Sequence, residues 1–150
     1  MIGAPGVGKT HLAIAFVLAA CRLGLNARFF TAAQIVNTYR ESREAKTVLR
    51  LEATIRRLDL IVIDELGYLP IDRIGAESLF GFFSQCYEQT SVIVTTNLPF
   101  AQWPATFAGD ERMTGALLDR LTHRLEILSI EGESYRLQQS RKSSAQKSKN

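Results

Sequence analysis

Gly3, Gly8, Lys9 and Thr10, within the stretch "GAPGVGKT", stand at the fixed places of the pattern GxxxxGK[ST]. Glycines so spaced let the backbone curl until several N–H groups point at one phosphate chain. A helix that begins where the loop ends adds the positive end of its dipole to the same anion site. The stretch therefore predicts a nucleotide-phosphate cradle formed by Gly3, Ala4, Pro5, Gly6, Val7, Gly8, Lys9, Thr10 and His11. Lys9 is placed to reach the β- and γ-phosphates, and the Thr10 hydroxyl to take one position on Mg²⁺. His11 falls in the first helical turn, where packing accounts for it better than catalysis.

Two further stretches supply what such a cradle needs to cleave the nucleotide. "LIVIDE" places Asp64 directly after four apolar residues, the arrangement that holds Mg²⁺ in nucleotide hydrolases, usually through a water. Glu65 beside it is the natural general base for the water that attacks the γ-phosphate. "SVIVTTN" ends on Asn97, whose amide is suited to orient that water and sense the γ-phosphate. No NKxD guanine-reading motif occurs, which favours ATP over GTP. A metabolite kinase is disfavoured, because Glu65 and the polar end of the Asn97 strand suit water activation. Arg120 in "ALLDRL" and Arg136 in "GESYR" read, by themselves, as surface charges or ion-pair partners.

These residues must be positioned by alternating elements. "THLAIAFVLAACRL" is helix-forming and apolar nearly all round, which predicts a buried helix stopped by Gly24. "ARFFT" reads as a short buried strand. Thr31 and Gln34 stand at capping-box spacing and open a second helix that runs towards Leu58, with a break near residues 42–46. "LDLIVIDE" has the look of a strand covered on both faces. The loop "LGYLPIDR" leads to a helix around "GAESLFGFFSQCYEQ", then to the strand "SVIVTTN". Pro99 and Pro104 punctuate a loop, "MTGALLDRLTHR" resumes a helix, and "LEILSI" is a last strand. Alternating strands and helices predict an α/β fold with a parallel sheet between helical layers.

A chain of 150 residues with 46% hydrophobic residues is the size of one globular domain. There is no membrane-span run and no signal-peptide pattern, so a cytoplasmic protein is expected. Cys21 and Cys86 lie in helical apolar patterns without CxxC spacing and read as reduced core thiols. The net charge of +3 is carried by the tail "QQSRKSSAQKSKN", residues 138–150, where Arg141, Lys142, Lys147 and Lys149 face no acid. Residues 1–137 then hold 14 basic against 15 acidic side chains, and the basic tail is expected to be disordered.

The order GAPGVGKTHLA, RFFTAAQIV, IVIDELGYLPID, VIVTTNLPF, ALLDRL and GESYRL closely resembles the IstB-like ATPases. These are transposition helpers of bacterial insertion sequences, related to the DnaC helicase loaders of the AAA+ class. The likeness spans residues 1–137 and implies a P-loop, AAA+-type three-layer sandwich with strand order 5-1-4-3-2. It implies that Arg120 is an arginine finger offered to a neighbouring subunit and Arg136 a sensor beside the bound ATP. It also implies ATP and Mg²⁺ as cofactors, a homo-oligomer with ATP at its interfaces, and assembly on DNA with a transposase. A helicase loader is the near alternative, and a nucleotide-binding fragment without turnover is another. Arg40, Arg43, Lys46, Arg50, Arg56 and Arg57, on a charged helical stretch, are candidate DNA contacts by the same resemblance; otherwise they form a solvated face. The departure is at the front, where the family carries helices and a full first strand before the loop. The first strand is therefore expected to be largely missing, with a slot between the last strand and "SVIVTTN".

Overall fold

In the computed structural model, which describes residues 1–68, 70–122 and 126–140, the strands run parallel and helices cover both faces of the sheet. The order along the chain is β1 (Ile2–Gly3), α1 (Lys9–Arg22), β2 (Ala27–Thr31), α2 (Ala32–Glu44), α3 (Val48–Ile55), β3 (Leu60–Asp64), α4 (Arg73–Cys86) and β4 (Ser91–Val94). A 3₁₀ turn (Phe100–Gln102), α5 (Trp103–Thr106), α6 (Glu111–Thr122) and β5 (Ser129–Ile130) follow, and residues 135–140 are helical. Among the described residues no helix is long and apolar enough to cross a membrane.

β3 is the central element because every residue from Ile61 to Asp64 is apolar or paired, and all four are buried. Side chains alternate across a strand. Ile61 and Ile63 accordingly join the main core with Ile35, Leu79, Phe82 and Leu117 from α2, α4 and α6, while Val62 turns to the opposite face, where α1 packs. β2 and β4 flank β3 in register, Thr31 opposite Asp64 and Val94 opposite Ile63. β1 pairs with β5 and touches the end of β4 through Ile2 opposite Thr96, so the spatial order is 5-1-4-3-2.

Local signals place the helix ends. Thr31 and Gln34 form the reciprocal capping box: the Gln34 N–H donates to Thr31 Oγ1 at 3.2 Å and the Thr31 N–H donates to Gln34 Oε1 at 2.8 Å. Asp72 caps α4, where its Oδ1 accepts from the Gly75 N–H at 2.9 Å and from Arg40 at 2.6 Å. Both contacts hold the Asp72 carboxyl below the usual carboxylate range, the backbone bond being the larger cause. The break between α2 and α3 falls at residues 45–47, with Lys46 left-handed at φ 56°.

Five expectations need correction. α1 is not buried: Ala13 and Ala20 face the sheet, but Leu12, Ile14, Phe16 and Leu18 are 39–55% exposed. Only one side of α1 packs on β2 and β3, and no described element covers the other. For the same reason Cys21 is exposed; Cys86 is the buried thiol, with its pKa pushed up to about 12 by desolvation. The loop after β4 contains the 3₁₀ turn and α5, with Pro104 in the first turn of α5, where a missing N–H does no harm. It is anchored by buried Trp103 between Phe100 and Phe107. The last strand spans only Ser129–Ile130, and Leu125 lies outside the described residues. In the tail, residues 138–140 continue the helix that starts at Tyr135; the four basic tail residues lie outside the described residues.

The expected slot is present. A cavity of about 630 Å³ opens beside β4, lined by Met1, Val92, Val94, Arg120, Ile127 and Leu128 among others. Met1 already continues the β1 ladder: its nitrogen donates to Val94 O at 2.7 Å and its carbonyl accepts from the Thr96 N–H at 3.0 Å. By the alternation of a parallel ladder, the Val92 and Val94 N–H groups also face the slot. A variant carrying five extra apolar, β-branched residues ahead of Met1 should therefore thread the slot and melt higher. Two or three added backbone pairs, each worth about 0.5–1.5 kcal/mol, raise Tm by roughly 5–10 °C in a chain of this size. An unchanged melting temperature would show that this segment does not pair with β4.

Candidate functional site

The phosphate loop occupies the turn between β1 and α1, and its shape depends on residues without side chains. Gly6 and Gly8 are left-handed, at φ 85° and 98°. A Cβ on Gly6 would lie 2.1 Å from Ser134 Oγ, and one on Gly3 would lie 2.2 Å from the Ile130 carbonyl oxygen. Gly8 meets nothing within 4 Å, so its Cα faces the open bowl of the loop. Gly6→Ala adds a clash to a strained backbone angle and is expected to weaken nucleotide binding by well over tenfold, readable with a fluorescent ATP analogue.

α1 begins at Lys9 with no side-chain cap on its first N–H groups and no acid in its first turn, so its positive end is left for an anion. The Lys9 ammonium sits over the loop and donates to the carbonyl oxygens of Gly3 at 2.7 Å and Ala4 at 2.8 Å. Its pKa is lowered, first by desolvation and then by Arg136, while Asp64 acts in the opposite direction. The segment after β5 folds back on the loop, the Tyr135 N–H donating to Gly6 O at 3.0 Å, and the exposed Arg136 is the next residue. His11 is exposed in the first turn of α1.

The loop and the acidic end of β3 meet. The Thr10 hydroxyl donates to Asp64 Oδ1 at 3.1 Å. Asp64 is buried, and the same oxygen also accepts from the Thr95 hydroxyl. Glu65 is exposed and left-handed at φ 60°, with its N–H donating to Thr95 Oγ1 at 3.1 Å. A hydroxyl beside a carboxylate is the oxygen donor set of a hard cation that keeps most of its waters and bonds phosphate, which fits Mg²⁺. Among the described residues no group of three or more His, Cys, Asp or Glu forms a protein-only metal cage.

The remaining candidates divide. Asn97 is exposed in the bend just after β4, two residues beyond Thr95. Arg120 is half-buried and turned inward, its guanidinium 4.6 Å from the centre of the Phe80 ring and Nη1 donating to Ala116 O at 3.0 Å. It lies apart from the loop of its own chain, lining the slot. Arg40, Arg43, Lys46, Arg50, Arg56 and Arg57 are all exposed, but they are spread over α2, the break at residues 45–47, α3 and the turn after α3. Arg40 is also engaged with Asp72. Thr95 is the residue the sequence reading passed over. The available signal was the parallel register that sets the ends of β3 and β4 side by side.

Comparison with known proteins agrees with this geometry. Residues 1–143 match the profile of the IstB-like ATP-binding protein family. The predicted ATP-binding protein of insertion sequence IS21 from Pseudomonas aeruginosa is 39% identical over 145 residues, covering 95% of this chain and 53% of that one. Its counterpart from insertion sequence IS5376 of Geobacillus stearothermophilus is 38% identical, covering 93% and 55%. The chain thus spans about half the length of these relatives. Among solved structures, AMPPCP-bound DnaA from Aquifex aeolicus superposes with a TM-score of 0.72 at 18% identity, over 88% of this chain and 39% of that one. The DnaC helicase loader gives 0.71 at 23% identity, over 87% and 76%. At such identities these two establish the fold alone, a parallel α/β sheet between helical layers. A phosphate loop that meets a buried aspartate on the central strand, in a sequence matched almost from end to end, has one assignment: the chain belongs to the IstB-like ATP-binding proteins.

Proposed function

We propose that the chain is the catalytic core of a Mg²⁺-dependent ATPase that assembles on DNA in the cytoplasm and assists transposition. The observation that carries the reading is the Thr10–Asp64 contact at 3.1 Å, because it joins the phosphate cradle to the acidic strand end in one site. Lys9 and the loop N–H groups bind the phosphate chain, and Arg136 adds charge from the folded-back segment. Thr10 and Asp64 would hold Mg²⁺, which supplies charge neutralisation at the β- and γ-phosphates. Glu65 accepts the proton of the attacking water, and Asn97 orients that water from the end of β4. Arg120 serves the ATP of a neighbouring copy in a homo-oligomer.

The insertion-sequence names of the relatives support a transposase as the partner, and the exposed basic residues of α2 and α3 support DNA as the surface of assembly. The deciding experiment measures phosphate release by the purified chain with and without Mg²⁺ and duplex DNA, alongside pull-down with the cognate transposase and with a replicative helicase. Mg²⁺-dependent hydrolysis raised by DNA, with transposase retained, is the expected result. Retention of the helicase in place of the transposase would make the protein a helicase loader. Tight ATP binding without phosphate release would reduce it to a nucleotide-binding module.

A further inference from the structure

We infer that Thr95 is a positioning residue for hydrolysis, acting through both acidic residues at the end of β3. The inference rests on the ATPase reading above. Thr95 is 1% exposed and uses every hydrogen-bonding group it has on four consecutive residues of the neighbouring strand end. Its N–H donates to Ile63 O at 2.9 Å and its carbonyl accepts from the Leu66 N–H at 3.0 Å. Its hydroxyl donates to Asp64 Oδ1 and accepts from the Glu65 N–H at 3.1 Å.

Two consequences follow from that arrangement. The first concerns Glu65, whose backbone lies in the left-handed region that side-chain-bearing residues rarely adopt. Such a conformation persists only where its surroundings over-determine it. Here the N–H groups on both sides of the Glu65 carbonyl, those of Glu65 and Leu66, end on one threonine. Thr95 therefore sets the direction in which the Glu65 carboxylate leaves the strand. The second consequence concerns Asp64. Both hydroxyls converge on Oδ1, and among the described residues Oδ2 accepts no hydrogen bond. If the Thr10 hydroxyl turns to a bound cation, Thr95 becomes the remaining described side-chain donor to that carboxylate. A single hydroxyl thus orients the carboxylate that would hold the cation and the backbone of the residue that would accept the proton.

A simpler role, closing the sheet, is served equally by the backbone of any β-branched residue. Valine and serine separate the two roles, since valine keeps the shape without the hydroxyl and serine keeps the hydroxyl without the methyl group. In the full chain without nucleotide, Thr95→Val should lose amide-exchange protection at Glu65 while Ile63 stays protected, and Thr95→Ser should retain both. With ATP, Thr95→Val should bind the nucleotide like the parent but turn over about 10–100-fold more slowly, the range seen when a partner of a metal-holding side chain is removed. Half-saturation should also shift to higher Mg²⁺, and Thr95→Ser should restore kcat. Parent-like exchange at Glu65 together with parent-like kcat in Thr95→Val would overturn the inference, as would a serine variant as slow as the valine one. If the parent itself releases no phosphate, the ATPase reading fails; the exchange data then still decide whether Thr95 clamps Glu65.

Discussion

Glu65→Gln should leave ATP binding intact and lower turnover by about 10²–10⁴-fold, because an amide of the same shape cannot accept the proton of the attacking water. The substitution is structurally mild. Glu65 is exposed, its N–H donates to the Thr95 hydroxyl and its carbonyl accepts from the Tyr68 N–H, and the variant keeps both backbone groups. A loss of rate can therefore be assigned to chemistry once the melting temperature is shown to be unchanged. Lys9→Ala is the contrasting variant, since it removes a charge-assisted phosphate contact and should weaken binding itself. Titration with a fluorescent ATP analogue and phosphate release on the same preparations distinguish the two losses. Hydrolysis by Glu65→Gln at the parent rate would remove Glu65 from the mechanism.

Turnover per chain should rise with protein concentration, and Arg120→Ala should abolish that rise while still binding ATP. An arginine supplied by a neighbour is worth about 10³–10⁵ in rate, so this is the largest effect expected of any single substitution here. The structure adds a condition. Arg120 rests on the Phe80 ring and on the Ala116 carbonyl, so it must leave both to reach another chain's nucleotide. A cation over an aromatic face is held by about 0.5–2 kcal/mol, small against the attraction of a transferring phosphoryl group. Mixing Arg120→Ala with Lys9→Ala chains should recover part of the activity, because mixed interfaces place an intact arginine against an intact phosphate loop. A rate independent of concentration and of Arg120 would leave the residue as a brace for Phe80 alone.

What was legible in the sequence is what depends on neighbours along the chain. The phosphate loop, the Thr31–Gln34 capping box and the apolar run of β3 are each specified within a few residues, and each stands where the sequence places it. The contacts that complete the site are long-range. Thr95 and Asp64 are 31 residues apart and meet only because β3 and β4 run parallel in register. α1 shows the opposite failure. Its composition is apolar nearly all round, but which face is covered depends on the elements packed against it, and composition carries no direction. The short helices after β4 were hidden by prolines that read as breakers, although proline fits well in the first turn of a helix.

The strap across the phosphate loop has a consequence for synthesis. Ile2 is tied to Leu128 and Gly6 to Tyr135, so these residues acquire their partners only when most of the described chain after them has been made. Contacts of such separation form late, after the loop-closure entropy of the intervening chain has been met. At about 5–20 residues per second, the nascent loop waits several seconds before Leu128 and Tyr135 are made. ATP should therefore fail to protect ribosome-bound chains ending near residue 110 from protease and should protect those in which residue 140 has emerged. On this geometry the phosphate loop is completed late in translation, well after its motif has been made.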